Sequence, residues 1–92
     1  MKPEVLLSRI RVVLCRPSHP GNIGAAARAM KTMGLSRLYL VEPRQFPDPE
    51  ADTRATGAVD VLAEARVVSS LKDALVGASF VVALSARQRD IG

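Results

Sequence analysis

The sequence predicts an α/β fold, a mostly parallel sheet with helices on both faces, formed as a single domain over residues 1–92. Two observations carry this. Apolar runs too short for helices, at Ile10–Cys15, Arg37–Val41, Arg66–Val68 and Phe80–Leu84, alternate with stretches of helical periodicity. The joins between them carry Gly, Pro, Ser or Asn where helices start and stop. The resulting β-α-β-α-β-α-β order favours parallel strands joined by right-handed crossovers, with successive strands side by side.

Ile10–Cys15 is apolar and β-branched, as expected of a buried strand. Pro17 and Pro20 bracket the loop that follows it. Asn22 is the expected N-cap of the next helix, whose apolar stripe is Ile23, Ala26, Ala27, Met30 and Met33. Gly34 is its expected stop. After the strand Arg37–Val41, Pro43, Pro47 and Pro49 mark a long loop. Asp48 before Pro49 reads as an N-cap with proline at the first helical position, opening a helix that ends at Gly57. The acidic residues Asp48, Glu50 and Asp52 suit a helix start without any metal. Val59–Ala63 forms a further helical turn, and Ser70-Leu-Lys-Asp73 resembles a capping box for a helix ending at Gly77.

A composition of 48% hydrophobic and 24% charged residues is that of a globular chain and excludes a disordered one. No apolar run approaches the ~18 residues of a membrane span. Residues 1–9 lack the apolar core of a signal peptide, so a cytoplasmic location is expected. The single cysteine, Cys15, excludes an internal disulfide and reads as a small buried hydrophobe. His19 lies between two prolines with no second ligand near it in sequence, so no metal site is expected. Charge is unevenly spread. Residues 1–46 hold eight Lys/Arg against two Glu, residues 47–92 five against seven Asp/Glu, for a net of +4. A basic first half suits a polyanionic partner such as RNA. Aromatic residues at 3% exclude a base-stacking platform.

Ligands of open parallel sheets bind beyond the carboxyl ends of the strands. Two segments fall there: the loop after the first strand, residues 16–24, and the tail after the fourth, residues 84–89. In Pro20-Gly21-Asn22-Ile23-Gly24-Ala25-Ala26-Ala27-Arg28, small residues permit close backbone approach to a ligand, and the helix start favours an anion. Arg28 lies about 240° round the axis from Asn22 and can face a phosphate. Spacing alone equally allows Asn22 to be only a cap and Arg28 only a solvated side chain.

Asn22-x-Gly24-x-x-x-Arg28 resembles the first motif of the SpoU/TrmH family of RNA 2′-O-methyltransferases, in the SPOUT superfamily. The run from Arg16 to Leu35 is similar to the TrmJ-like branch that acts on tRNA. Leu38–Pro43, Gly57–Leu62 and Val81–Arg87 continue the likeness, which spans about Arg11 to Arg89. The resemblance implies the N-terminal half of an α/β-knot methyltransferase domain. The family's two downstream motifs have no counterpart before Gly92, so the knot-forming C-terminal half is absent. It implies S-adenosyl-L-methionine as methyl donor, RNA and specifically tRNA as substrate, and a homodimer. Asn22 and Arg28 are the implied catalytic residues, and Leu84, Ser85 and Ala86 the implied cofactor contacts. Arg16, His19, Arg28 and Arg87 are the implied RNA contacts. A guanidinium stays protonated, so Arg28 is expected to grip a phosphate and position the hydroxyl rather than act as a base. The family's Gly-Thr-Ser-Ala-Arg reads Ala83-Leu84-Ser85-Ala86-Arg87 here, losing a glycine and a hydroxyl. Weak cofactor binding by the chain alone is the expectation. A non-catalytic RNA- or nucleotide-binding module and a self-associating α/β fragment are the competing readings.

Overall fold

The computed structural model describes residues 2–85. Four strands form one fully parallel sheet: β1 (Ile10–Cys15), β2 (Arg37–Val41), β3 (Arg66–Val68) and β4 (Phe80–Ser85). The helices are α1 (Pro3–Arg9), α2 (Pro20–Thr32), α3 (Pro49–Ala55), α4 (Val59–Ala63) and α5 (Leu71–Leu75). The α/β class and all four strands agree with expectation. The strand order is β3-β2-β1-β4. Successive strands are neighbours only as far as β3. The chain then crosses the sheet, and β4 pairs with the far side of β1.

β1 is an inner strand and, Arg11 apart, apolar on both faces, as suits a strand covered on both sides. Val12 and Leu14 point into the larger core with Ile23, Ala27 and Met30 of α2, Ala51 and Ala55 of α3, and Val61 and Leu62 of α4. Val13 points the other way, into a smaller cluster with Val41 and Ala74 of α5. Cys15 is only half-buried at its edge, less enclosed than its sequence neighbours suggest.

Helix ends account for most remaining features. Asp48 Oδ1 accepts from the Glu50 N–H at 2.9 Å, and Ser70 Oγ from the Asp73 N–H at 3.1 Å, as expected. Gly34 after α2 and Gly77 after α5 have φ of +79° and +75°, conformations in which a side chain is strained. Two expectations about α2 are corrected. Asn22 is not the N-cap of α2. His19 is, without a side-chain bond, because Pro20 lacks an N–H and has φ preset for the first helical position. Met33 ends the helix and is exposed, leaving Met30 as the last core residue of that stripe. The chain also opens with a helix, α1, started by Pro3, whose Leu7 packs against the larger core.

The closest contact between helices is α2 on α3. A Cβ added to Gly24 would overlap the Ala51 carbonyl oxygen and come within 2.8 Å of Arg54 Cβ. One added to Gly21 would meet Glu50 Oε2 at 2.9 Å. These glycines admit a neighbouring helix, not a ligand as the loop composition suggested. Further along α2, Lys31 Nζ bonds Asp60 Oδ2 of α4 at 2.6 Å. This bond holds the Asp60 carboxyl below its ordinary value of 3.8.

Two outcomes follow from this packing. Gly24→Ala gains up to about 1 kcal/mol of helix propensity. It loses more by overpacking against backbone, about 1–3 kcal/mol, so the chemical-denaturation midpoint falls. A depressed folded-state pKa means the Lys31–Asp60 contribution is full above the unfolded carboxylate value and is lost as pH falls through the folded one. The Asp60 carboxyl resonance is therefore expected to titrate below 3.8, and to return toward that value in Lys31→Ala.

Candidate functional site

The chain turns back across the sheet after β3, so that β4 lies beside β1 on the side away from β2. Crevices that bind ligands form at the carboxyl ends of strands at such a reversal. The register pairs Leu14 with Leu84 and Cys15 with Ser85. The end of β4 is thereby brought beside the loop that carries Arg16 and His19 and leads into α2. Leu84 and Ser85 are thus placed by backbone at the crevice, whereas Ala86 and Arg87 lie outside the described residues.

The carboxyl edge is formed by an unusual pair. Arg16 and Glu42, each just past a strand, have φ of +50° and +47°. Non-glycine residues seldom adopt this conformation. Backbone bonds hold them there: the Arg16 N–H donates to Val41 O at 2.7 Å and the Glu42 N–H to Val68 O at 2.9 Å. Each turn extends the ladder of its neighbour by one bond, and the side chains then meet, Arg16 Nε on Glu42 Oε1 at 3.1 Å. Both are exposed, so the ion pair contributes at most about 1 kcal/mol. Its consequence is geometric. It rims a cavity of about 640 Å³ at the ends of β1, β2 and β3, with Cys15, Val41 and Leu71 as apolar lining and Ser69 and Ser70 opposite.

Asn22 is the third residue of α2 and is exposed, its backbone N–H bonded to His19 O at 3.1 Å. The helix start is thus formed without its side chain, which removes capping as the reason for an asparagine there. Arg28 is exposed too, and among the described residues its guanidinium has no ion pair or hydrogen bond. The two do not share a face. Six residues of helix separate them by about 9 Å along the axis and about 120° around it. Arg28 sits about 12 Å down the helix from Pro20, on the flank next to Gly24 and α3. His19 is exposed at the mouth of the loop. Among the described residues no group of three or more His, Cys, Asp or Glu could hold a metal ion. None of the described helices is long and apolar enough to cross a membrane.

Sequence reasoning missed two side chains. Glu42 gave no signal, since its importance lies in its φ. Arg11 gave one: a charge inside the otherwise apolar run of a central strand needs a partner. It is 8% exposed and donates from Nη1 to Ala74 O at 2.7 Å and Val76 O at 2.9 Å. Its guanidinium lies 4.2 Å from the centroid of the Tyr39 ring. Arg11 thus caps the C-terminus of α5 from the sheet, where the helix dipole favours a cation.

An open, fully parallel sheet with helices on both faces and a strand-order reversal between β1 and β4 defines a protein of the α/β class. Within that class the chain belongs to the SpoU rRNA Methylase family, whose profile matches residues 9–90. It is 60% identical over 86 residues to the tRNA (cytidine/uridine/adenosine-2′-O-)-methyltransferase TrmJ of Pseudomonas aeruginosa, covering 94% of this chain and 34% of that protein. Among solved structures, a probable methyltransferase from Bordetella pertussis Tohama I superposes with a TM-score of 0.75 at 51% identity, over 79% of this chain and 46% of that one. TrmJ from Z. mobilis ZM4 superposes with a TM-score of 0.69 at 45% identity, over 71% and 30%. The chain spans about a third of the length of the curated relatives it matches.

The left-handed residues make a test of the edge. Glu42→Gly is expected to hold or raise the thermal midpoint, since relief of about 1–2 kcal/mol of backbone strain exceeds the exposed ion pair. Glu42→Val is expected to lower it, because a β-branched side chain tolerates that φ worst.

Proposed function

We propose that the chain is the substrate-presenting part of an RNA ribose 2′-O-methyltransferase acting on tRNA, with S-adenosyl-L-methionine as donor. The observation that carries this is the state of the Asn22-x-Gly24-x-x-x-Arg28 motif. Its two polar side chains are exposed and have no structural partner among the described residues, on a helix that opens at the strand-order reversal. The likeness to the Pseudomonas aeruginosa tRNA 2′-O-methyltransferase supports the same reading.

The parts present fit a nucleoside-sized donor. The end of β4 offers backbone groups at Leu84 and Ser85 beside Cys15. The adjoining cavity offers a cation, a carboxylate and two hydroxyls, within the size range of small-molecule sites. Bound there, the donor would supply its sulfonium methyl to a ribose 2′-oxygen and leave as the thioether S-adenosyl-L-homocysteine, while that hydroxyl gives up its proton. The chain's own residues do the positioning. Arg28 holds an RNA phosphate through two parallel N–H bonds and so fixes the ribose beside it. The 2′-proton leaves to phosphate or water, because a guanidinium does not accept it. Asn22 presents an amide at the helix start to shape the pocket. Arg16 and His19 meet RNA at the loop mouth, with Ala86 and Arg87 extending the cofactor and RNA contacts. A homodimer belongs to the same reading, since β4 is an edge strand with Phe80 and Val82 exposed. A tRNA substrate places the work in the cytoplasm. Ala83 and Leu84, in place of the family's glycine and threonine, favour the second reading, an RNA-binding module without transfer.

The test replaces the matching third of the Pseudomonas aeruginosa relative with this chain and follows transfer from labelled S-adenosyl-L-methionine to tRNA. Expected are 2′-O-methylnucleosides on mass analysis and a fall in kcat/KM of about 100-fold or more in Arg28→Ala. Arg28→Lys is expected to recover little, since it keeps the charge but not the fork. A folded chimera that binds tRNA without methylating it would leave the binding-module reading standing alone. Full activity in Arg28→Lys would overturn the positioning role.

A further inference from the structure

The α5 face of the sheet carries a row of arginines, of which only Arg11 has a structural role above. Parallel partners point to the same side, so the register fixes their arrangement. Arg11 pairs with Arg37, and Tyr39 with Arg66. Because Arg11 bonds α5, all four side chains lie on the α5 face, near the amino ends of three adjacent strands. Arg11 is buried, and among the described residues it has no carboxylate partner and its Nε makes no hydrogen bond. Arg37 and Arg66 are exposed, and among the described residues neither has an ion pair. They flank a cavity of about 570 Å³ whose polar lining, among the described residues, includes Ser8, Ser36 and Glu64.

We propose that this amino edge is a second contact for the RNA backbone, with Arg37 and Arg66 taking phosphodiester oxygens. The inference rests on the RNA reading above and extends it to a surface one strand length, about 20 Å, from the carboxyl edge. Two features favour a polynucleotide. The α-carbons of Arg37 and Arg66, two residues out of register on adjacent strands, are about 8 Å apart, which suits neighbouring phosphates of a chain better than one isolated anion. The buried charge of Arg11 lies on the same face, with no acid paired to it among the described residues, so it adds to the positive potential there.

The test is fluorescence anisotropy of a tRNA transcript with the 92-residue chain, from about 50 to 200 mM salt. Circular dichroism confirms that each variant is folded. The pair Arg37→Ala with Arg66→Ala is expected to weaken binding about tenfold or more near 0.1 M salt and to flatten the plot of log K against log salt by about two. Lys2→Ala with Lys72→Ala removes the same charge elsewhere and is expected to shift affinity by no more than about threefold. Glu64→Gln is expected to tighten binding. An unchanged slope in the arginine pair overturns this site and leaves the RNA reading intact, as does an equal loss in the control pair. Displacement of RNA by inorganic phosphate at low millimolar concentration also overturns it, as a single-anion site. Absence of saturable RNA binding by the parent chain overturns both.

Discussion

The approach of α2 to α3 at Gly24 is the constraint on which the rest of the molecule turns. With no side chain there, the α2 backbone lies against the Ala51 carbonyl. Ile23, Ala27 and Met30 can then reach the sheet, while Asn22 and Arg28 are left on the solvent side. A wider crossing would roll the helix, and the residues read here as the RNA-facing motif would change direction with it. The same seven residues therefore carry both the packing and the proposed function: the small ones fix the helix axis, and the polar ones lie on its exposed surface.

The two faces of the sheet are held differently. One is covered by three helices and an extensive apolar cluster. The other has one short helix and a cluster of three buried residues. A helix of five residues is not stable by itself. The carbonyls of Ala74 and Val76, at and just past its end, are gripped by a buried arginine whose plane lies over a tyrosine. A polar tether here does what apolar area does on the opposite face. It also leaves the thinly covered side basic.

Much of this was legible in the sequence, for identifiable reasons. Strand runs, the Asp48 and Ser70 caps and the glycines ending α2 and α5 depend on local chemistry, and local chemistry is what a sequence displays. Asn22 was misread because two adjacent rules competed, and proline at the first helical position outranked the preference for asparagine at the cap. The purpose of Gly21 and Gly24 was hidden because their neighbour comes from α3, some thirty residues away in the chain. Strand order was hidden similarly, since nothing in the β3–β4 segment announces which side of β1 it will reach. Glu42 could not be singled out, because its distinction is a backbone angle set by a bond to Val68. Arg11 was readable in principle, as a charge where the strand pattern had no room for one.

The alternation along β1 has an unforgiving corollary. Its residues belong by turns to two compartments, Val12 and Leu14 to one, Arg11 and Val13 to the other. Inserting or deleting one residue ahead of Val12 would exchange every occupant. A guanidinium would then stand among Ile23, Ala27 and Leu40, while α5 lost its anchor. Length variation in this stretch is thus far more damaging than a substitution that leaves the strand's phase unchanged.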